Sequence, residues 1–174
     1  MTLTEAIPPT TDPTGERAAV VPTPVTALRR LLPHRTELLE RVRYDEPRRW
    51  HLRLSPEEAG TDHVEVWLLS WLPGQDSPLH DHGGASGAFV VLTGELAETV
   101  VSSTSTRTAD HLWTPGRLRG FGSRHVHRVG NDGTARAVSL HAYRPALRTM
   151  TRYRSSLRTP SLKRRTGGTR RPSW

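Results

Sequence analysis

A chain of 174 residues suits one domain of ordinary size and is too short for two comfortable ones. Hydrophobic residues make up 34% and charged residues 24%, with 14 Gly and 14 Pro, and no apolar run approaches the ~20 residues of a membrane helix, so no membrane association is expected. Cysteine is absent, which excludes disulfides, thiolate metal sites and a cysteine nucleophile of the protein's own, and is compatible with a cytoplasmic location.

The net charge of +8 invites a nucleic-acid partner, but the charge is not spread evenly. From Arg144 to Trp174 there are ten Arg/Lys and no acid, whereas the first 143 residues carry 15 basic and 17 acidic residues. Only Tyr153 and Trp174 interleave those ten charges as stacking aromatics. A solvated end is therefore expected rather than a nucleic-acid site.

In chain order, residues 1–24 are rich in Pro, Thr and Ala and read as a disordered leader. They contain neither the basic nor the apolar region of a secretory signal. Leu28, Leu31, Leu32, Leu38, Leu39 and Val42 then fit helical spacing, interrupted at Pro33. From Trp50 the texture becomes β-type. Residues 51–54, 64–71 and 89–92 are short strand runs, and Glu95–Val101 and Ala135–Tyr143 look like further strands. Turn signals separate them at Pro73-Gly74, Gly83-Gly84, Thr93-Gly94, Pro115-Gly116 and Asn131-Asp132-Gly133. Many short strands and few helices predict an all-β sandwich or small barrel over residues 25–153. After Tyr153 the Ser/Arg/Thr-rich chain, residues 154–174, is expected to leave the fold. Trans is the default for Arg144-Pro145.

Of nine histidines, four fall in two His-x-His pairs, His80-Asp81-His82 and His125-Val126-His127. In extended chain, residues i and i+2 share a face, so each pair can turn two imidazoles toward one metal. Two antiparallel strands carrying such pairs would close a three- or four-nitrogen site, for which Fe, Zn, Cu and Ni are all suitable. Taken singly, each pair is equally compatible with polar positions on half-buried strands.

The glycine framing adds to this. Gly74, five residues, His80-x-His82 and then Gly94 resemble the first motif of the cupin superfamily, except that its usual Glu is replaced by Gly87 or Ala88. The second motif is retained in part, with Gly116, His127 and Asn131 in place and its Pro and Gly replaced by Gly122 and Arg124. Leu79-His80-Asp81-His82, His127-Arg128-Val129-Gly130-Asn131 and Val138-Ser139-Leu140-His141-Ala142-Tyr143 are similar to thiol dioxygenases of the cysteine dioxygenase type. The resemblance covers Trp50 to Pro145. It implies a cupin barrel (double-stranded β-helix, or jelly roll) with a short helical N-terminal segment. It also implies a monomer that converts L-cysteine and O2 to cysteine sulfinate.

In that reading His80, His82 and His127 bind Fe(II), and His125 has no family role. Ser139, His141 and Tyr143 share one face of a strand, and the resemblance makes them a relay that sets the tyrosine hydroxyl beside the substrate. Arg53 is the counterpart by position of the arginine that pairs with the substrate carboxylate. Gly87 stands where animal relatives carry the cysteine of a thioether crosslink, so Tyr143 is held by packing and by His141. The alternatives are another small thiol (3-mercaptopropionate or cysteamine), or a cupin that binds a metal or ligand without turnover.

Overall fold

The computed structural model describes residues 21–45, 47–101, 108–156 and 159–164. The expected leader lies almost wholly outside these residues. Helix α1 (Pro24–Leu31) begins at a capping box in which Thr23 and Thr26 satisfy each other's backbone N–H groups, with Pro24 in the first turn. A single 3₁₀ turn (Leu32–His34) at Pro33 separates it from α2 (Arg35–Glu40), the interruption that the sequence announced. The buried Ala27, Leu28, Leu31 and Leu38 turn one apolar stripe toward the sheet.

The strands follow as β1 (His51–Arg53), β2 (Glu65–Trp71), β3 (Ser86–Thr93), β4 (Leu96–Val101), β5 (Thr108–Trp113), β6 (Leu118–Phe121), β7 (Val126–Gly130) and β8 (Ala137–Arg144). Between β1 and β2 lies the one-turn α3 (Pro56–Ala59), capped by Ser55 and Glu58 and stopped by Gly60 in the left-handed region at φ 67°. A five-stranded antiparallel sheet has the order β1-β2-β8-β3-β6, and a three-stranded sheet has the order β5-β4-β7.

The centre of the larger sheet is covered on both sides. Val66, Leu68, Val90, Leu92, Val138, Leu140 and Ala142 face the helices, while Leu69, Trp71, Val91 and Ala137 pack inward with Leu96 and Val129 of the smaller sheet. Double burial explains why β2, β3 and β8 read as continuous apolar runs rather than alternating ones.

In the basic segment, β9 (Tyr153–Ser156) and β10 (Thr159–Arg164) pair with each other as a separate two-stranded sheet, and the rest of the expected tail lies outside the described residues. Backbone pairing begins before it, where Tyr153 N–H donates to Leu79 at 2.8 Å and Asp81 N–H donates to Thr151 at 3.0 Å. Against the expected trans isomer, the Arg144-Pro145 bond is cis.

Candidate metal centre

The segment joining β2 to β3 crosses between the sheets and carries His80 and His82. It is extended without being a regular strand. His80 bridges His127 of β7 on one side and Arg152 on the other, with reciprocal backbone bonds of 2.9 and 3.0 Å to His127. Asp81, between the two histidines, accepts from Gly83 N–H (2.9 Å), Thr151 N–H (3.2 Å) and the Tyr153 hydroxyl (2.6 Å). These bonds fasten the segment to the C-terminal chain and fix the orientation of its neighbours.

His80, His82 and His127, the three histidines that the resemblance singles out, come together. All three are buried, and one ring nitrogen from each lies within 4.8 Å of the others. Two tautomers are set by outer partners. His80 Nδ1 is 2.8 Å from the Pro78 carbonyl, and His127 Nδ1 is 2.7 Å from Glu98 Oε1. Both acceptors demand a proton on Nδ1, which leaves Nε2 as a bare lone pair for a metal. Neither ring nitrogen of His82 has a hydrogen-bond partner among the described residues. A buried imidazole of that kind is costly unless something ligates it, so the residues present fit a metal ion. Burial holds all three imidazoles neutral, taking His80 down to about 3 and lowering His82 and His127 as well. The neutral state is the one that coordinates.

Glu98 was not among the residues singled out from the sequence. It sits fully buried on β4, accepting from His127 and, at 2.9 Å, from His125 Nε2, with the Trp113 indole at 3.0 Å. Burial alone would raise its pKa, but the hydrogen bonds from His125 and His127 outweigh that and hold it well below the usual carboxylate range. Its signal in the sequence was an acid on the same face of a strand as Leu96. His125 therefore serves as a second donor to Glu98, stacked on Phe121 at 4.6 Å between ring centroids.

The relay also assembles. Ser139 Oγ is 2.9 Å from His141 Nε2, and His141 Nδ1 is 3.4 Å from the Tyr143 hydroxyl. Burial keeps His141 neutral and raises the Tyr143 pKa, so the phenol stays protonated. The Tyr143 ring lies 5.3 Å from His82, which places the hydroxyl strand face against the histidine cluster. Gly87 is opposite Tyr143 in the sheet. A Cβ at Gly87 would meet the Phe121 ring at 2.5 Å, so Phe121 fills the space that a side chain would need.

Arg53 does not join the cluster. It lies on β1 with 59% of its side chain exposed and its Nε 3.2 Å from Glu65. The buried arginine among the described residues is Arg49, just before β1. It is 9% exposed, its guanidinium lies 4.0 Å over the Trp71 ring, and Nε and Nη1 have no hydrogen-bond partner among the described residues. Its charge acts on Tyr143, His80 and His141. Burial lowers its pKa to about 10, which leaves it charged at neutral pH. Nothing in the sequence distinguished Arg49 from Arg48 beside it.

The family profile of cysteine dioxygenase type I matches residues 31–156. The chain belongs to the cysteine dioxygenase type I family. Among solved structures, an oxalate oxidase superposes with a TM-score of 0.53 at 18% identity, over 63% of this chain and 57% of that one. A protein of Thermus thermophilus gives 0.53 at 22% identity, over 62% of this chain and 93% of its own. A protein of Klebsiella pneumoniae subsp. pneumoniae with a double-stranded β-helix domain gives 0.53 at 17%, over 65% and 90%. These likenesses establish the cupin fold. The family match and the buried histidine cluster mark a dioxygenase-type cupin with a candidate three-histidine metal site. Among the described residues, no helix is long and apolar enough to cross a membrane.

Proposed function

We propose that the protein is an Fe(II)-dependent thiol dioxygenase that converts L-cysteine and O2 to cysteine sulfinate. The observation that carries this is the coexistence of three buried, neutral imidazoles with a buried arginine whose charge acts on one of them and which keeps two donors without a partner among the described residues. When bound by His80, His82 and His127, Fe(II) would hold thiolate and dioxygen side by side and lower the effective pKa of the thiol. The overall change is balanced, since the thiolate sulfur gains both atoms of one O2 and no other reductant is needed.

The chain's own groups do the positioning. Arg49 offers Nε and Nη1 to a carboxylate, the fork geometry that favours an amino-acid thiol over a plain one. This moves to Arg49 the role that position in the sequence suggested for Arg53. Tyr143, protonated at neutral pH and set by His141 and Ser139, hydrogen-bonds the reacting atoms. Glu98 orients His127, and Trp71 packs beneath the Arg49 guanidinium. Water is kept out by the aromatic packing of Phe89, Phe121 and Trp71 around the imidazoles.

The test is anaerobic loading with Fe(II), then oxygen uptake and sulfinate detection with L-cysteine, 3-mercaptopropionate and cysteamine. Uptake with sulfinate formed from L-cysteine is expected, with cysteamine the poorest of the three. No uptake with any thiol at one iron per chain would sink the enzyme reading and leave a metal-binding cupin.

A further inference from the structure

The sequence names the three members of the relay but does not say which way its protons point. Ser139, His141 and Tyr143 can be satisfied in two opposite directions. In one, Tyr143 spends its proton on His141. In the other, it accepts from His141 and its proton turns elsewhere. The choice decides whether the phenol can donate to a substrate.

Trp71 of β2 breaks the tie. It is 1% exposed, and its indole Nε1 lies 2.9 Å from Ser139 Oγ. An indole N–H is only ever a donor, so Ser139 Oγ accepts at this contact. Ser139 is fully buried, and its other hydrogen-bond contact is His141 Nε2 at 2.9 Å. The single hydroxyl proton therefore finds its acceptor at that ring nitrogen, because a buried hydroxyl without an acceptor would forfeit a bond. Nε2 is then unprotonated. His141 is neutral through burial and the nearby Arg49 charge, and a neutral imidazole with a bare Nε2 carries its proton on Nδ1. Nδ1–H points at the Tyr143 oxygen, 3.4 Å away. Tyr143 accepts there, and its own proton turns away from His141.

We infer that Trp71 is a positioning residue whose indole N–H sets the direction of the Ser139–His141–Tyr143 relay, so that Tyr143 accepts from His141 and gives its own proton to a different partner. The proton assignment rests on the hydrogen-bond geometry together with the burial that keeps His141 neutral. Its effect on turnover rests on the proposed dioxygenase activity.

The experiment uses the full chain, labelled with ¹⁵N-histidine and loaded with Zn(II) as a diamagnetic occupant. The His141 ring signals are identified by their loss in His141→Gln. In the unsubstituted protein, Nδ1 is expected at the position of a protonated ring nitrogen and Nε2 at that of an unprotonated one. In Trp71→Phe, which keeps a ring beneath Arg49 but removes the N–H, both signals should move toward the average of the two tautomers. Ser139→Ala cuts the same path with a smaller change and should give the same averaging if Trp71→Phe does not fold. A proton on Nε2 in the unsubstituted protein overturns the assignment. An unchanged tautomer in Trp71→Phe, or in Ser139→Ala where that is the variant that folds, overturns the role of Trp71. With Fe(II) bound, the kcat for oxygen uptake by Trp71→Phe should fall about tenfold, with metal content unchanged. Absence of uptake in the unsubstituted protein would count against the dioxygenase reading and leave the tautomer result standing.

Discussion

Replacing Arg49 by Gln removes a buried cation while keeping much of its volume and an amide donor. In the ligand-free protein this charge is held at a cost. Its pKa falls from 12.5 to about 10, which at 1.36 kcal/mol per factor of ten amounts to about 3 kcal/mol of disfavoured ionisation. That cost is borne before substrate arrives, so a carboxylate reaching Arg49 meets two donors, Nε and Nη1, already stripped of competing partners. Charge-assisted bonds contribute about 1.5–3 kcal/mol each, and breaking a buried pair by removing one partner typically costs about 2–5 kcal/mol. Arg49→Gln should therefore lose about 30-fold to a few thousand-fold in kcat/KM for L-cysteine. Its folding stability should not fall, because the orphaned charge disappears with it. Cysteamine has no carboxylate, and its turnover should change by less than about threefold. Arg53→Gln should change either substrate by less than about threefold as well, since Arg53 is 59% exposed and its pair with Glu65 is of the surface kind, worth about 0–1 kcal/mol. Oxygen-electrode rates for the two thiols on the three proteins decide the matter. An equal loss on cysteine and cysteamine in Arg49→Gln, or a loss on cysteine alone in Arg53→Gln, would refute the reasoning.

Glu98→Gln should weaken metal affinity by about 10–100-fold, read as a dissociation constant by competition with a chelator, because His127 loses the carboxylate that fixes its tautomer. Gly87→Ala should lower stability by about 1–3 kcal/mol in urea melts through collision with Phe121, and by less in a Phe121→Leu background, where the ring has been removed. Acid should destabilise the metal-free protein. His80 is held at about 3 and His141 well below 6.5 in the folded state, so below pH 6.5 the unfolded chain takes up protons that the native state refuses. Each such histidine should remove about 1.4 kcal/mol by pH 5.5, and a flat profile between pH 7 and 5.5 in EDTA would contradict this burial argument. Asp81→Asn should loosen the C-terminal segment, seen as faster amide exchange at Thr151 and Tyr153, because the carboxylate accepting from both is weakened.

What the sequence determined is what short-range chemistry dictates. Period-two spacing put His80 with His82, and Ser139 with His141 and Tyr143, on common faces. Glycine turns cut the chain into strands, and Pro33 split the N-terminal helix. The bounds of β5 and β6 escaped because their residues are mostly exposed or half-buried and lack an apolar pattern. The pairing of His125 with Glu98 escaped for a different reason. His125 and His127 have the same spacing as a ligand pair, yet the chain turns just before β7 and sends His125 to the carboxylate of another strand. Arg49 and Arg53 present the same contrast. One precedes a three-residue edge strand and the other ends it, and the one proposed to meet a substrate is set by packing on Trp71, a residue of the next strand. The direction of the relay likewise depends on an indole 68 positions from its serine in the chain. Local spacing thus marked the candidate His-x-His pairs without saying which of the four histidines gather. Glu98, Arg49 and Trp71, the groups proposed to orient a histidine, meet a carboxylate and direct the relay, lie on or beside separate strands, and only the tertiary fold sets them around these side chains.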